Sequence, residues 1–455
     1  MSNSRSLFGT DGVRGTANLH PMTASMALRL GQAAAYVFRG QRDLGHRILI
    51  GKDTRLSGYM FEDALAAGIS SMGGTVIQVG PMPTPALAFL TVDMRCAAGV
   101  MITASHNPYQ DNGIKFFGSD GFKLDDEIES RIEGFALSDE ISGFLAAPEA
   151  VGPAWRIDDA TGRYVVFLKN NFPKQHSLDG LRIVLDCANG AGYKVGPLVL
   201  QELGAEVFAL GVEPNGRNIN LECGSLYPEK TAEKVRELRA DVGIALDGDA
   251  DRVVIVDEKG VILDGDVLMA LCARDMVERG RLRGGGVVAT VMSNLGLERA
   301  LAAEGLDLVR TQVGDRYVVD AMRSGGYNLG GEQSGHVVFL DHTTTGDGLV
   351  TALQVLSAMI RKNRPLSELT QGFEHFPQVM LNVVVSRRVP LEELDSFQER
   401  VQQVETELGD SGRVLVRYSG TELKARVMVE GENTARVREL AHDLADSLKR
   451  ALASA

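Results

Sequence analysis

The stretch Gly99-Val-Met-Ile-Thr-Ala-Ser105-His-Asn-Pro-Tyr-Gln-Asp-Asn-Gly-Ile-Lys115-Phe-Phe117 decides how the chain is read. One apolar strand delivers Ser105-His106-Asn107-Pro108 into a polar loop, and a second apolar strand carries Lys115 away from it. Short apolar runs bounded by turn residues are the signature of buried strands. The serine between them sits where a reactive group belongs. A serine hydroxyl is a weak nucleophile unaided, but a phosphoserine carries nearly two negative charges and a transferable group. Such a group needs a cation beside it.

One candidate cation site lies far downstream, at Asp247-Gly248-Asp249-Ala250-Asp251-Arg252, directly after the strand-like Val242-Gly243-Ile244-Ala245-Leu246. Carboxylates at alternate positions converge on one point only in a loop, because a straight strand lines them along one face several ångströms apart. Their hard oxygen ligands suit Mg²⁺, which takes one or two carboxylates and fills its octahedron with phosphate oxygen or water. A phosphoryl oxygen on Ser105 completes that set. The segment lacks the later bidentate glutamate of an EF-hand loop, which weighs against Ca²⁺.

Outward from these motifs, strands alternate with amphipathic helices, as in layered α/β domains. Arg47–Gly51, a helix over 59–72 and Thr75–Val79 form one unit; Arg182–Asp186, a helix over 194–203 and Ala205–Leu210 form another; Gly286–Val291, a helix over 295–305 and Asp307–Thr311 form a third. The C-terminal part breaks this rhythm, with strands near 380–386, 413–418 and 424–430 and helices near 391–408 and 434–452. The expected fold is α/β: three related mixed α/β domains plus a smaller C-terminal α+β domain around a central cleft. Charged and Gly/Pro-containing stretches put the boundaries at 1–152, 153–257, 258–373 and 374–455, each domain holding one key loop.

Two further segments complete a pattern. Gly330-Gly331-Glu332-Gln333-Ser334-Gly335-His336 and Arg417-Tyr418-Ser419-Gly420-Thr421-Glu422, with the serine and aspartate loops, resemble the alpha-D-phosphohexomutases, and the resemblance spans almost the whole chain. That family moves phosphate between the 6- and 1-positions of a hexose through an active-site phosphoserine. Within it, Leu7-Phe8-Gly9-Thr10-Asp11-Gly12-Val13-Arg14-Gly15, the Thr-Ala-Ser-His-Asn-Pro form of the serine loop and Gly314-Asp315-Arg316-Tyr317-Val318 look most like members acting on an amino sugar. The resemblance therefore implies interconversion of glucosamine 6-phosphate and glucosamine 1-phosphate. The same scaffold in related members serves glucose or mannose phosphates, which is the nearest rival. A metal-dependent phosphatase and a catalytically silent sugar-phosphate sensor are further alternatives, and the sensor is disfavoured because Ser105, Asp247, Asp249 and Asp251 are all present.

On this reading Ser105 carries the phosphate and, with Asp247, Asp249 and Asp251, binds one Mg²⁺ per subunit. Arg14, Lys115 and Arg252 are the cations expected nearest the transferred group, since phosphoryl transfer rests on positioning and charge stabilisation. The resemblance puts Lys115 or His336 at the proton transfer without deciding between them. Glu332 and Ser334 offer an acceptor and a donor to sugar hydroxyls, and the neighbouring glycines admit close backbone approach. Arg417, Ser419, Gly420, Thr421 and Arg426 form the expected site for the phosphate that is not being transferred. Priming by glucosamine 1,6-bisphosphate or by a kinase, and assembly as a homodimer, are also implied by the resemblance.

Composition sets outer limits. The 455 residues carry a net charge of -13, from 47 basic and 60 acidic residues, which argues against a general nucleic-acid or anionic-membrane binder. An anionic sugar phosphate must then be met by locally clustered Arg and Lys. Cys96, Cys187, Cys223 and Cys272 are widely spaced, with no CxxC pair, and read as reduced thiols. No signal-peptide core or long apolar span is legible, so the expected compartment is the cytoplasm. Neither Arg283-Gly284-Gly285-Gly286 nor Asn189-Gly190-Ala191-Gly192 completes a nucleotide fingerprint, so no redox cofactor is expected.

Overall fold

Parallel strands buried on both faces need continuous apolar runs rather than alternation, and the strand Ala98–Ile102, buried at every position, is of this kind. It lies inside a seven-stranded sheet of the computed structural model, which describes residues 7–9, 11–40, 46–419 and 423–454. The strands of that sheet are β1 (Phe8–Gly9), β2 (Gly12–Thr16), β3 (Arg47–Lys52), β4 (Thr75–Pro81), β5 (Ala98–Ile102), β6 (Asp111–Gly118) and β7 (Ala154–Arg156), in the order β1-β2-β6-β5-β3-β4-β7. A second sheet has β8 (Arg182–Asp186), β9 (Glu206–Leu210), β10 (Val242–Leu246), β11 (Val253–Val256) and β12 (Ile262–Leu263), ordered β12-β11-β10-β8-β9. A third has β13 (Gly286–Thr290), β14 (Asp307–Thr311), β15 (Leu329–Gly331) and β16 (Val337–Phe339), ordered β14-β13-β15-β16.

Stripped of edge additions, the three sheets share one order. It reads β4-β3-β5-β6, β9-β8-β10-β11 and β14-β13-β15-β16, with the last strand antiparallel to its neighbour each time. Helices join the first three strands in each unit: Ser57–Ser71 and Thr84–Asp93, then Val195–Glu202 and Pro228–Leu238, then Leu295–Ala303 and Asp315–Gly325. The relation among the three domains is explicit in this topology. The loop between the third and fourth strand is the serine loop in the first sheet, the aspartate loop in the second sheet and the Glu332 loop in the third sheet. All three leave the C-terminal end of a parallel strand, where open α/β sheets place their ligands.

Contacts divide the chain into two compact units, residues 1–290 with 309–371 and residues 291–308 with 372–455. The second contains a three-stranded antiparallel sheet, β17 (Gln378–Val384), β18 (Gly412–Tyr418) and β19 (Lys424–Gly431), ordered β17-β19-β18 and covered by the helices Asp395–Leu408 and Thr434–Ser454. Residues 291–308 join it through side-chain bonds to backbone. Arg413 donates to Val291 O at 2.9 Å and to Ser293 O at 2.6 Å, and Glu430 accepts from Leu295 N at 2.8 Å.

Two short strands cross the boundaries expected from sequence. β7 begins beyond residue 152 yet pairs in parallel with β4, and β12 lies beyond residue 257 yet pairs with β11. Strands of three and two residues are completed by their neighbours' hydrogen bonds, not by a pattern of their own. Cys96, Cys187 and Cys272 are buried free thiols and Cys223 is partly buried. Among the described residues, no helix is long and apolar enough to cross a membrane.

Candidate active site

The serine loop is held in an uncommon conformation. Ser105 is buried and has φ +50°, a left-handed backbone that costs a non-glycine residue about 1 kcal/mol. Its N–H donates to Thr103 Oγ1 at 2.9 Å, and its carbonyl accepts from Arg55 Nη2 at 3.1 Å and Asn220 Nδ2 at 2.9 Å. The same two side chains donate to Asn107 O, at 2.5 and 3.1 Å. Arg55 is itself paired with Asp53, whose other bond comes from Thr103 Oγ1 at 2.7 Å. Asn220→Ala removes two of these donors from buried carbonyls; the expected result is a loss of about 1–2 kcal/mol of stability and faster amide exchange across residues 104–108. Thermal unfolding and exchange mass spectrometry check it.

Ser105 Oγ donates to Asp247 Oδ2 at 2.6 Å. Asp247, Asp249 and Asp251 each offer an oxygen within 4.8 Å of the others, and all three are buried. The turn brings them together because Ala250 takes φ +57° and because Gly248 has no side chain: a Cβ there would stand 2.5 Å from Ser105 O. Thr84, at the start of the helix Thr84–Asp93, donates from Oγ1 to Asp249 Oδ2 at 2.7 Å and from its N–H to Asp249 O at 2.9 Å. Oδ1 of Asp249 and of Asp251 are buried without a hydrogen-bond partner among the described residues. Burial, then the charges of Asp251 and Asp249, push Asp247 well above the usual carboxylate range. Hard oxygens, unpartnered lone pairs and mutual repulsion together fit a divalent cation.

Cations line the other side. Lys115 Nζ is 3.2 Å from Asp249 Oδ2, 3.2 Å from Asp11 Oδ2 and 3.8 Å from Asp251 Oδ2. Burial opposes its charge, but Asp11, Asp249 and Asp251 together hold its pKa above the ordinary lysine value. Arg252 donates from its N–H to Asp247 Oδ1 at 3.3 Å, and its Nη1 is 3.1 Å from His106 Nδ1. Arg14 pairs with Asp11. His336 Nδ1 faces Asp251 Oδ2 at 3.6 Å, while Nε2 accepts from Gly346 N at 3.1 Å. Burial works against charging His336, and Asp251 and Asp315 pull the other way and raise its pKa; the Gly346 bond, which needs a lone pair on Nε2, fits a ring with its proton on Nδ1. Glu332 Oε1 accepts from Gly314 N at 3.2 Å, and Ser334 Oγ lies 3.4 Å from Glu332 Oε2.

Ser105, Arg14, Lys115, the three aspartates, Arg252 and His336 are thus linked by contacts within the first unit, and Glu332 and Ser334 lie in the same loop as His336. In the second unit Arg417 and Arg426 are directly opposed across β18 and β19, and Nε of each is buried with no hydrogen-bond partner among the described residues. Burial, then the Arg426 charge, lowers the Arg417 pKa, so an anion would relieve both guanidiniums. Ser419 is buried beside them in sequence, with its N–H donated to Lys424 O at 2.8 Å. Gly420 and Thr421 lie outside the described residues. Asp11, His106 and Asp315 stand within motifs of the sequence but were given no role there, and Arg55, Lys123 and Asn220 stand in none; a charged or amide residue in a turn carries no signal until a partner distant in sequence is beside it.

Family models of the phosphoglucomutase/phosphomannomutase domains match along the chain: alpha/beta/alpha domain I over residues 5–141, domain II over 162–260, domain III over 264–376 and the C-terminal domain over 380–447. The chain is 60% identical over 447 residues to the phosphoglucosamine mutase of Nitratidesulfovibrio vulgaris (strain DSM 19637 / Miyazaki F), covering 98% of this chain and 99% of that one. The chain belongs to the alpha-D-phosphohexomutase family. A second phosphohexomutase relative, the phosphoglucosamine mutase of Syntrophotalea carbinolica, is 57% identical over 448 residues, 98% of each chain. Among solved structures, a phosphoglucomutase/phosphomannomutase family protein from Burkholderia thailandensis superposes with a TM-score of 0.82 at 24% identity over 98% of both chains. The N-acetylphosphoglucosamine mutase of Aspergillus fumigatus, in complex with GlcNAc-6P and magnesium, gives 0.66 at 19% identity over 98% of this chain and 96% of that one. Both share the phosphohexomutase fold.

Proposed function

We propose that the chain is a phosphoglucosamine mutase that interconverts glucosamine 6-phosphate and glucosamine 1-phosphate through phosphorylated Ser105. The observation that carries the reading is the 2.6 Å bond from Ser105 Oγ to a buried aspartate triad, in a chain alike over its full length to enzymes of that name. Asp247, Asp249 and Asp251, with a phosphoryl oxygen on Ser105, would hold Mg²⁺. When bound, the ion would draw charge from the phosphoryl oxygens and so favour transfer.

The rest falls to side chains. The phosphoryl group leaves Ser105 Oγ for the free hydroxyl of the sugar monophosphate, breaking one P–O bond and making another, while the hydroxyl proton passes to a base. Lys115 and His336 are the candidates for that base; Lys115, held charged by Asp11, Asp249 and Asp251 in the metal-free chain, would take the proton only once a bound cation engages those carboxylates. The bisphosphate then turns round and returns its other phosphate to Ser105. Arg14, Lys115 and Arg252 offset the charge of the moving group, and Glu332 and Ser334 grip the sugar. Arg417, Ser419, Gly420, Thr421 and Arg426 are assigned to the phosphate that stays. The four-domain division, priming by glucosamine 1,6-bisphosphate or a kinase, assembly as a homodimer, and a cytoplasmic setting without nucleic-acid or membrane ligands belong to the same proposal.

Turnover of the 6-phosphates of glucosamine, glucose and mannose, followed by phosphorus NMR, tests the substrate. Glucosamine 6-phosphate is expected to lead in kcat/KM by at least about tenfold, as one well-placed polar contact allows. A preference for glucose or mannose overturns the substrate assignment. Sustained release of inorganic phosphate without isomer marks a phosphatase instead.

A further inference from the structure

Six side chains of the first unit close into a ring. Lys115 contacts Asp251 and Asp11; Asp11 passes to Lys123; Lys123 passes to Asp315; Asp315 Oδ2 lies 3.6 Å from His336 Nε2; and His336 Nδ1 returns to Asp251 at 3.6 Å. Acidic and basic groups alternate all the way round. The members come from the turn between β1 and β2, from β6 and the segment after it, from the aspartate loop, from the start of the helix Asp315–Gly325, and from the Glu332 loop. All three related sheets contribute, so the ring ties the serine and metal side of the site to the sugar side.

Asp11, Lys123 and Asp315 have no role in the proposed chemistry, and Lys123 is the cation between the other two. Its ammonium is bonded to Asp11 Oδ1 and Asp315 Oδ2, and its side chain is largely buried. Without it, two carboxylates would face each other with no cation between them, a repulsion that a buried setting strengthens. The far end of the ring is anchored independently. Gly314 N–H is donated to Glu332, and Arg316 is paired with Asp126 and, at 2.8 Å, with Glu129. These contacts hold the residues on both sides of Asp315 and leave its carboxylate to be oriented by Lys123, with His336 lying between it and Asp251. Gly346 closes over the imidazole so tightly that a Cβ there would be 2.5 Å from Nε2.

We propose that Lys123 is a positioning residue of the active site: by bridging Asp11 and Asp315 it holds Lys115 and His336 in place on either side of Asp251. The kinetic part of this inference rests on the mutase reading; the structural part does not. Lys123→Met keeps the length of the stem and removes the charge, and Lys123→Arg keeps the charge. For Lys123→Met the expected kcat is about 10- to 100-fold below wild type with KM within about threefold, the pattern of a loss confined to the transition state. The Gly346 amide, bonded to His336 Nε2, is expected to exchange with solvent at least about tenfold faster in the same variant. Lys123→Arg recovers most of both.

Either readout at the wild-type level in Lys123→Met overturns the proposal, as does an arginine variant no better than the methionine one while both lose thermal stability. Should Lys123→Met fail to fold, Asp315→Asn opens the ring one member further on and predicts the same faster exchange at Gly346. Exchange is read without substrate. If wild type does not isomerise glucosamine 6-phosphate, the mutase reading fails and the Gly346 result still decides the ring.

Discussion

Replacing Ser105 by alanine is expected to lower turnover of glucosamine 6-phosphate by about 10⁴-fold or more, because the group that accepts and returns phosphate is gone. Two neighbouring variants separate chemistry from folding. Ser105 has φ +50°, so Ser105→Gly should be equally inactive but more stable than Ser105→Ala by about 1 kcal/mol, glycine being free of the left-handed penalty. Turnover by phosphorus NMR and paired thermal melts check both halves. An alanine variant with more than a tenth of wild-type activity would sink the phosphoserine mechanism. A glycine variant less stable than the alanine one would contradict the backbone argument alone.

The second large effect is expected at the metal. Asp247→Asn should lower kcat by about 10³-fold or more, since a Lewis-acid cation supplies several kcal/mol to phosphoryl transfer. It should also abolish the rise in melting temperature expected of the wild type when Mg²⁺ is added. The sign of the pH dependence follows from the direction of the shift. Burial and the two neighbouring carboxylates raise Asp247 above its unfolded value, so the metal-free folded chain holds this proton more tightly than the unfolded one. Its contribution is full below about pH 3.8 and is lost as pH rises through the folded value. Asp251 and Asp11 are lowered, so their contributions are lost on the other side, as pH falls below about 3.8.

The two windows do not overlap, and above pH 4 to 5 the difference between wild type and Asp247→Asn isolates the raised group. Metal-free wild type should lose stability relative to the variant as pH rises. Saturating Mg²⁺ should remove that slope, and binding should release protons, measurable by calorimetry in buffers of different ionisation heat. Equal slopes in the two metal-free proteins would refute the repulsion among the triad. Phosphorylation sharpens the same balance. A phosphate on Ser105 replaces a hydrogen-bond donor to Asp247 with a near-dianion, so the phosphorylated chain should bind Mg²⁺ more tightly than the unmodified one.

Much of this was legible in residues because the chemistry is local in sequence. Asp247, Asp249 and Asp251 lie within one turn, and β8, β10 and β14 span the residues expected from sequence. What stayed hidden depends on contacts across long separations. Asn220 reaches a carbonyl 115 positions away, and Lys123 reaches Asp315 across 192 positions; neither has a neighbour in sequence that predicts it. The short strands β7 and β12 were hidden for the same reason, being completed by partners rather than by pattern. The attachment of residues 291–308 to the second unit rests on Arg413 and Glu430, two charged residues that read as ordinary surface positions in a strand.

The shared strand order of the three sheets has a consequence for how such a protein can change. One scaffold is used three times, and each copy places a single hairpin at the same point of its sheet; on the proposed function the first would carry phosphate, the second would hold an ion and the third would grip the sugar. On that reading labour is divided among hairpins, so a new sugar preference can be sought by exchanging Glu332, Gln333 and Ser334 while His336, which faces Asp251 and Asp315, is kept.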